Sequence, residues 1–241
     1  MRTQLGESTR LWAGSGLHVW PGRWSAFSGA RSVDYNVACV HAASGGENIE
    51  RALAKVTEAG VPAVIMIAGE ALGEVQVLVR ADWVCIGSNP LLLCEELPTA
   101  LEDGVARLDG KALTEARTLV GEAYDLPEAL TVVALPDTSV SEAGQSVWGL
   151  REQGELVSCM ALVDVDETAV VWSMATPPRL QRRGFGRRLL QGALAASARE
   201  GGARCLLYSS PQGIGLYTSM GFRLVERWQV WSRPRWVLSR V

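Results

Sequence analysis

Residues 179–188 read Arg179-Leu180-Gln181-Arg182-Arg183-Gly184-Phe185-Gly186-Arg187-Arg188, five arginines in ten positions, with two glycines among them. A helical pattern begins at Gly184, runs to residue 200 and is closed by Gly201-Gly202. Cations are disfavoured at a helix N-terminus, where the peptide dipoles already leave a partial positive charge. The free N–H groups of the first turn need acceptors, and no Ser, Thr, Asp or Asn stands between Gln181 and Gly186 to cap them. A bound polyanion answers both difficulties: it accepts the orphan N–H bonds and neutralises the guanidinium groups. Gly184 and Gly186 carry no Cβ to hold such an anion away from the backbone.

Working outward, residues 168–175 form a strand whose continuously apolar part, Ala169-Val170-Val171-Trp172, places it at the centre of a sheet. Ahead of it, residues 146–152 and 155–164 are strands around a Gln153-Gly154 turn, a hairpin. Residues 111–124 are an amphipathic helix continuing through 127–130. Beyond the arginine-rich helix come a strand at 203–209, a short helix at 213–220 and a strand at 222–231. The earlier part echoes this order, with a strand at 36–41, a helix at 47–59 capped by Gly60, a strand at 61–68, a helix at 73–79 and a hairpin formed by 83–87 and 91–94. In that alignment Ala81-Asp82-Trp83 falls where Met220-Gly221-Phe222 falls, a weak internal repeat. The turn-rich stretch from Glu102 to Gly110 is the best boundary.

The Walker phosphate loop is absent, and a dinucleotide fingerprint fails at Leu189, where a third glycine is needed. What remains is Gln-x-x-Gly-x-Gly after a central strand and a proline-containing loop. The run from Met174 to Gly186 resembles the pyrophosphate-loop signature of the GNAT superfamily of acetyl-CoA-dependent N-acetyltransferases. Leu216-Tyr217-Thr218-Ser219-Met220-Gly221-Phe222 is similar to that family's Tyr-x-x-x-Gly-Phe and stands at the family's spacing after the loop. The resemblance covers roughly residues 105–231. It implies an α/β (α+β) fold with a mixed, mostly antiparallel sheet flanked by helices. It also implies a catalytic domain at 105–241 and a second, partial, degenerate GNAT-like domain at 1–104.

By the same resemblance acetyl-CoA is the co-substrate. Its pantetheine arm would lie along Met174, Ala175 and Thr176, and its pyrophosphate against Gln181, Arg182, Arg183, Gly184, Phe185, Gly186 and Arg187, with Ser209 a further contact. Tyr217 would protonate the departing thiolate. Many relatives carry a glutamate base on the central strand, and this one has none; Ser173, Glu155 and Asp164 are near in sequence, and no base is assigned. The acceptor implied is an amine on a small molecule or peptide, and the protein a monomer or homodimer. The first part's corresponding loop, His41-Ala42-Ala43-Ser44-Gly45-Gly46-Glu47, lacks the arginines, and Glu47 and Glu50 would repel pyrophosphate. That part is expected not to bind acetyl-CoA. Trp12, Trp20, Trp24 and Phe27 are expected in its core, with pocket lining as the other reading.

Composition agrees with a globular chain: of 241 residues 48% are apolar and 20% charged. A net charge of −3 argues against nucleic acid or an anionic membrane as partner. The longest apolar run, residues 61–69, falls far short of the ~20 needed to span a bilayer, and residues 1–10 lack a signal peptide's apolar core. Five cysteines without a Cys-x-x-Cys pair and two isolated histidines point to reduced thiols in a cytoplasmic protein without a zinc site. A non-catalytic CoA-binding sensor and a nucleic-acid binder acting through the arginines remain as alternatives.

Overall fold

A computed structural model describes residues 1–238. In chain order it holds α1 (Arg2–Ser8), α2 (Arg10–Ala13), β1 (Leu17–Trp20), β2 (Arg23–Phe27), β3 (Asn36–Val40), α3 (Glu47–Ala59), β4 (Val64–Ile67), α4 (Gln76–Arg80) and β5 (Val84–Cys94). There follow β6 (Val105–Arg107), α5 (Leu113–Tyr124), α6 (Glu128–Ala134), β7 (Gln145–Glu152), β8 (Glu155–Val165) and β9 (Thr168–Ala175). The chain then forms α7 (Phe185–Arg199), β10 (Arg204–Tyr208), α8 (Ile214–Thr218), β11 (Arg223–Ser232) and α9 (Pro234–Leu238). The chain divides into two compact units. The first holds Met1–Leu91, Tyr208–Pro211 and the described residues from Leu224 on; the second holds Leu92–Leu207 and Gln212–Arg223. The stretch 224–231, expected with the later half, thus belongs with the first unit, and residues 92–104, expected with the earlier half, belong with the second.

In the second unit β6, β7, β8 and β9 pair antiparallel in that order, and β10 pairs parallel to β9 from Arg204↔Thr168 to Leu207↔Val171. The Gln153-Gly154 turn has both residues at positive φ, 51° and 87°, as a two-residue hairpin loop requires. Strand β8 is buried on both faces because a helix covers each. Met160 and Leu162 join Leu189, Leu190, Ala193 and Leu194 of α7 in one core. Cys159, just before them, meets α5, its Sγ 3.5 Å from the Ala116 carbonyl. Leu189 is fully buried. Leu189→Ala is expected to cost about 2–5 kcal/mol, read as a lower urea midpoint.

The first unit has the same plan. Strands β1, β2 and β3 are antiparallel, and β4 is parallel to β3. Helix α3 buries Ile49, Ala52 and Val56, one stripe of its surface, and ends at Gly60 with φ 65°. Its core adds Ala38, Val40, Ile65, Ile67, Leu78 and Trp83. Strand β11 closes this sheet on β4, with Gln229↔Ile67 to Trp231↔Ile65 in antiparallel register. Trp12 and Trp24 are buried as expected of core residues, while Trp20 and Phe27 are half-buried.

Three local expectations need correction. The hairpin at 83–94 is one continuous strand, β5; Pro90 has no N–H to leave unpaired, and its carbonyl accepts the Ser209 N–H at 3.0 Å. The helix at 111–130 is two, because Asp125 turns left-handed with φ 53°. Part of the helix at 73–79 is a 3₁₀ turn, Gly69–Glu74. The β1–β2 hairpin and strand β6 add pairing that the sequence pattern did not reveal. Four cysteines are buried and unpaired, and Cys85 is exposed on β5. Among the described residues no helix is long and apolar enough to cross a membrane, and no cluster of His, Cys, Asp and Glu is suited to a metal ion.

Candidate active site in the second unit

Helix α7 opens at Gly184, whose φ of 83° is accessible to glycine at little cost, and no side chain caps it. Arg182, two residues earlier, also has positive φ, 63°. Together they turn the chain so that successive N–H groups reach the helix entrance. Among the described residues, no acceptor pairs with the backbone N–H groups of residues 182–187; the first ladder bond runs from Arg188 N–H to Gly184 O at 3.0 Å. That row of donors, on the positive end of a fifteen-residue helix, is a site for an anion.

The five arginines are not equivalent. Arg179 pairs with Glu122 at 3.0 Å, and Arg188 lies 2.7 Å from Glu152 and 3.6 Å from Glu102. Their charge is already balanced. Arg182, Arg183 and Arg187 are exposed and have no carboxylate partner among the described residues. Arg183 lies over the Phe185 ring, 4.8 Å from its centroid, and Arg187 donates to Ser219 Oγ at 2.5 Å. All three belong to the residues whose N–H groups form the row.

Strand β9 leads into this loop. Ser173 takes φ 49°, and the pairing of β8 with β9 shifts register between Cys159 and Ala161, so the strand bulges where Met174 follows. Three successive carbonyls past the bulge are held by side chains. Tyr124 Oη donates to Met174 O, Ser158 Oγ donates to Ala175 O at 2.9 Å, and Gln181 Nε2 donates to Thr176 O at 3.0 Å. Ser158 Oγ also lies 2.9 Å from Thr176 Oγ1. Gln181 therefore braces its own loop, and the Ser173 hydroxyl donates to Ala134 O at 3.3 Å.

Tyr217 sits on α8 with its ring against Phe222, centroids 5.7 Å apart. Its hydroxyl points at sulfur, 3.4 Å from Met174 Sδ. Burial, with the neighbouring Cys205, pushes the phenol up to about 12. It is thus a neutral donor throughout the neutral range and a poor base. Met174 Cε also stands 3.3 Å from where a Cβ on Gly186 would be. One side chain thus links the helix entrance to the phenol. Phe185 faces inward, buried in the core.

Met174, Ala175, Thr176, residues 181–187 and Tyr217 are accordingly neighbours in one unit. Ser209 lies in the short stretch grouped with the first unit, where its Oγ donates to Ser210 O at 2.7 Å. Of the acids considered, Asp164 pairs with Ala169 at the far end of β9, and Glu155 is exposed at the hairpin turn. Sequence reasoning missed Tyr124 and Ser158. Neither lies in the motif, and only the fold brings Tyr124 to a residue fifty positions away.

The fold and the loop can be set beside known proteins. Residues 143–224 match the family described as acetyltransferase (GNAT) domain. Over 124 residues the chain is 31% identical to serotonin N-acetyltransferase 2, chloroplastic, of Oryza sativa subsp. japonica; the match takes in 48% of this chain and 58% of that one. The chain thus spans less than two thirds of that relative. Among solved structures, a GCN5-related N-acetyltransferase from Kribbella flavida superposes with a TM-score of 0.69 at 17% identity, covering 97% of this chain and 95% of its own. A putative GNAT-family acetyltransferase from Novosphingobium aromaticivorans gives 0.58 at 18% identity, over 95% of this chain and 98% of its own. These likenesses concern the fold, and the first extends over both units.

Proposed function

We propose that the chain transfers an acetyl group from acetyl-CoA to a primary amine of a small molecule or peptide. The observation that carries this reading is the row of unpaired N–H groups at residues 182–187, flanked by three guanidinium groups without carboxylate partners. A diphosphate satisfies both, and the glycines leave it room. Acetyl-CoA supplies an activated thioester. Arg182, Arg183, Gly184, Phe185, Gly186 and Arg187 hold its diphosphate, and Met174, Ala175 and Thr176 line the arm's path. Gln181 acts by bracing that loop. Ser209 is a further contact.

In the reaction the amine nitrogen bonds the acyl carbon, the carbon–sulfur bond breaks, and the thiolate takes a proton. Tyr217 supplies that proton; its hydroxyl already donates to a sulfur, that of Met174. The amine's surplus proton passes to solvent or to a base that this chain's motif does not mark. The first unit is read as a degenerate relative of the second, without acetyl-CoA binding. Calorimetric titration with acetyl-CoA, followed by thiol release over a panel of amines that begins with serotonin because of the rice relative's name, tests the reading. Binding without thiol release from any amine favours the second reading, a CoA sensor. The absence of an acid on β9 and the engagement of Ser173 with Ala134 O support that alternative.

Tyr124 bears on cofactor affinity, since its hydroxyl occupies the Met174 carbonyl that an arm amide would use. Tyr124→Phe removes this competitor. Acetyl-CoA is expected to bind roughly 2–10-fold more tightly, the equivalent of one hydrogen bond of about 0.5–1.5 kcal/mol. Calorimetry reads the change directly.

A further inference from the structure

The two units share a helix entrance. Gly46 opens α3 with φ 98° and Gly184 opens α7 with φ 83°; neither helix has a side-chain cap at that position. Glu50 N–H bonds Gly46 O at 3.0 Å, as Arg188 N–H bonds Gly184 O. They also share the turn that ends the following short helix. Trp83 N–H bonds Leu78 O at 3.0 Å across Asp82, and Phe222 N–H bonds Tyr217 O at 3.1 Å across Gly221. Asp82 and Gly221 both have positive φ, 60° and 87°. Leu78 therefore corresponds to Tyr217. Counting back four residues from each, Glu74 corresponds to Gly213.

The entrances differ in what meets their amides. In the second unit, position 213 has no side chain to send. In the first, Glu74 Oε1 accepts from the N–H groups of both Ser44 and Gly45, at 2.7 Å each. Its other oxygen, Oε2, is buried and has no hydrogen-bond partner among the described residues. A carboxylate half out of water, with one oxygen unpaired, is costly unless its charge is stabilised. Here the stabilisation comes from two charge-assisted bonds and the N-terminal end of a thirteen-residue helix. Val77 closes the same approach, its Cγ2 lying 2.9 Å from where a Cβ on Gly46 would be. The Asn48 N–H is taken separately by Ser44 Oγ at 2.8 Å.

We propose that the first unit retains an anion-binding loop for a phosphate or diphosphate group, that the Glu74 carboxylate is its built-in occupant, and that Glu47, paired with Arg51, and Glu50 weaken its hold on an external anion without abolishing it. One side chain, thirty residues from Ser44 in sequence, both closes the site and ties the 3₁₀ turn ahead of α4 to the loop ahead of α3. The inference does not depend on what the second unit catalyses.

The test compares full-length R182E/R187E with E74A/R182E/R187E, so that the second unit's loop is disabled whether or not it binds anything. Inorganic pyrophosphate is titrated into each by calorimetry. The E74A chain is expected to bind one pyrophosphate at least about tenfold more tightly than its parent, and pyrophosphate should raise its Tm but not the parent's. Equal affinity in the two folded proteins overturns the proposal. Glu74→Gln keeps an acceptor of the same shape without the charge, and serves if the alanine variant fails to fold. The amide protons of Ser44 and Gly45 should then move upfield in its NMR spectrum; unmoved resonances also overturn the proposal.

Discussion

Reversing two charges, Arg182→Glu with Arg187→Glu, is expected to weaken acetyl-CoA binding by at least about 100-fold while leaving the fold intact. Both side chains are exposed and neither has a carboxylate partner, so no internal ion pair is broken. Each bond from guanidinium to phosphate is worth about 1.5–3 kcal/mol, and a reversed charge adds repulsion that a merely lost bond does not. The affinity of the unaltered chain should also fall with added salt, whereas the residual affinity of the variant should not. Arg199→Glu, in the last turn of the same helix, carries the same charge change far from the entrance and provides the comparison. If acetyl-CoA does not raise the Tm of the unaltered chain, and the double reversal changes nothing, the amide row holds no diphosphate and the acyltransferase reading falls.

Tyr217→Phe is expected to lower kcat by about 10²–10³-fold, within the range that a positioned proton donor contributes, with the Kd for acetyl-CoA nearly unchanged. The substitution removes one oxygen. The ring keeps its packing against Phe222, and the only bond lost is one to Met174 Sδ, a weak acceptor. Near-normal kcat would remove the phenol from the mechanism. The pH profile gives an independent reading. Because burial pushes the phenol up to about 12, the donor stays protonated well above the ordinary tyrosine value of about 10. Activity should therefore rise as the acceptor amine loses its proton and show no fall from tyrosine ionisation through about pH 10. The same shift has a sign for stability. The folded protein holds this proton more tightly than the unfolded chain does. The associated stability is full below the unfolded tyrosine pKa and is lost as the pH rises towards the folded value.

How legible the site was depended on distance along the chain. The Gln153-Gly154 hairpin, strand 168–175, the entry of α7 near Gly184 and the turn at Gly221 could be read because each is fixed by residues within a few positions. Local hydrogen bonds, the sign of φ and the period of burial leave their mark in order. The resemblance singled out Arg182, Arg183 and Arg187 from the five arginines, but that Glu122, Glu102 and Glu152 neutralise the other two from distant parts of the chain only the fold shows. Ser173 could be read only as near the site in sequence, and its hydroxyl is taken by Ala134 O.

The sequence by itself determined the periodic elements, the uncapped glycine entrance of α7 and the acid–base character of Tyr217 as a neutral donor. Only the tertiary structure decided that β11 completes the first unit's sheet on β4, that Tyr124 covers the Met174 carbonyl, and that Glu74 fills the loop at Ser44 and Gly45. The division has a physical cause. Propensity and periodicity describe bonds closed within a turn or a strand, whereas the meeting of groups thirty to a hundred and sixty residues apart follows from which faces must be buried together, and no short window of sequence carries that information.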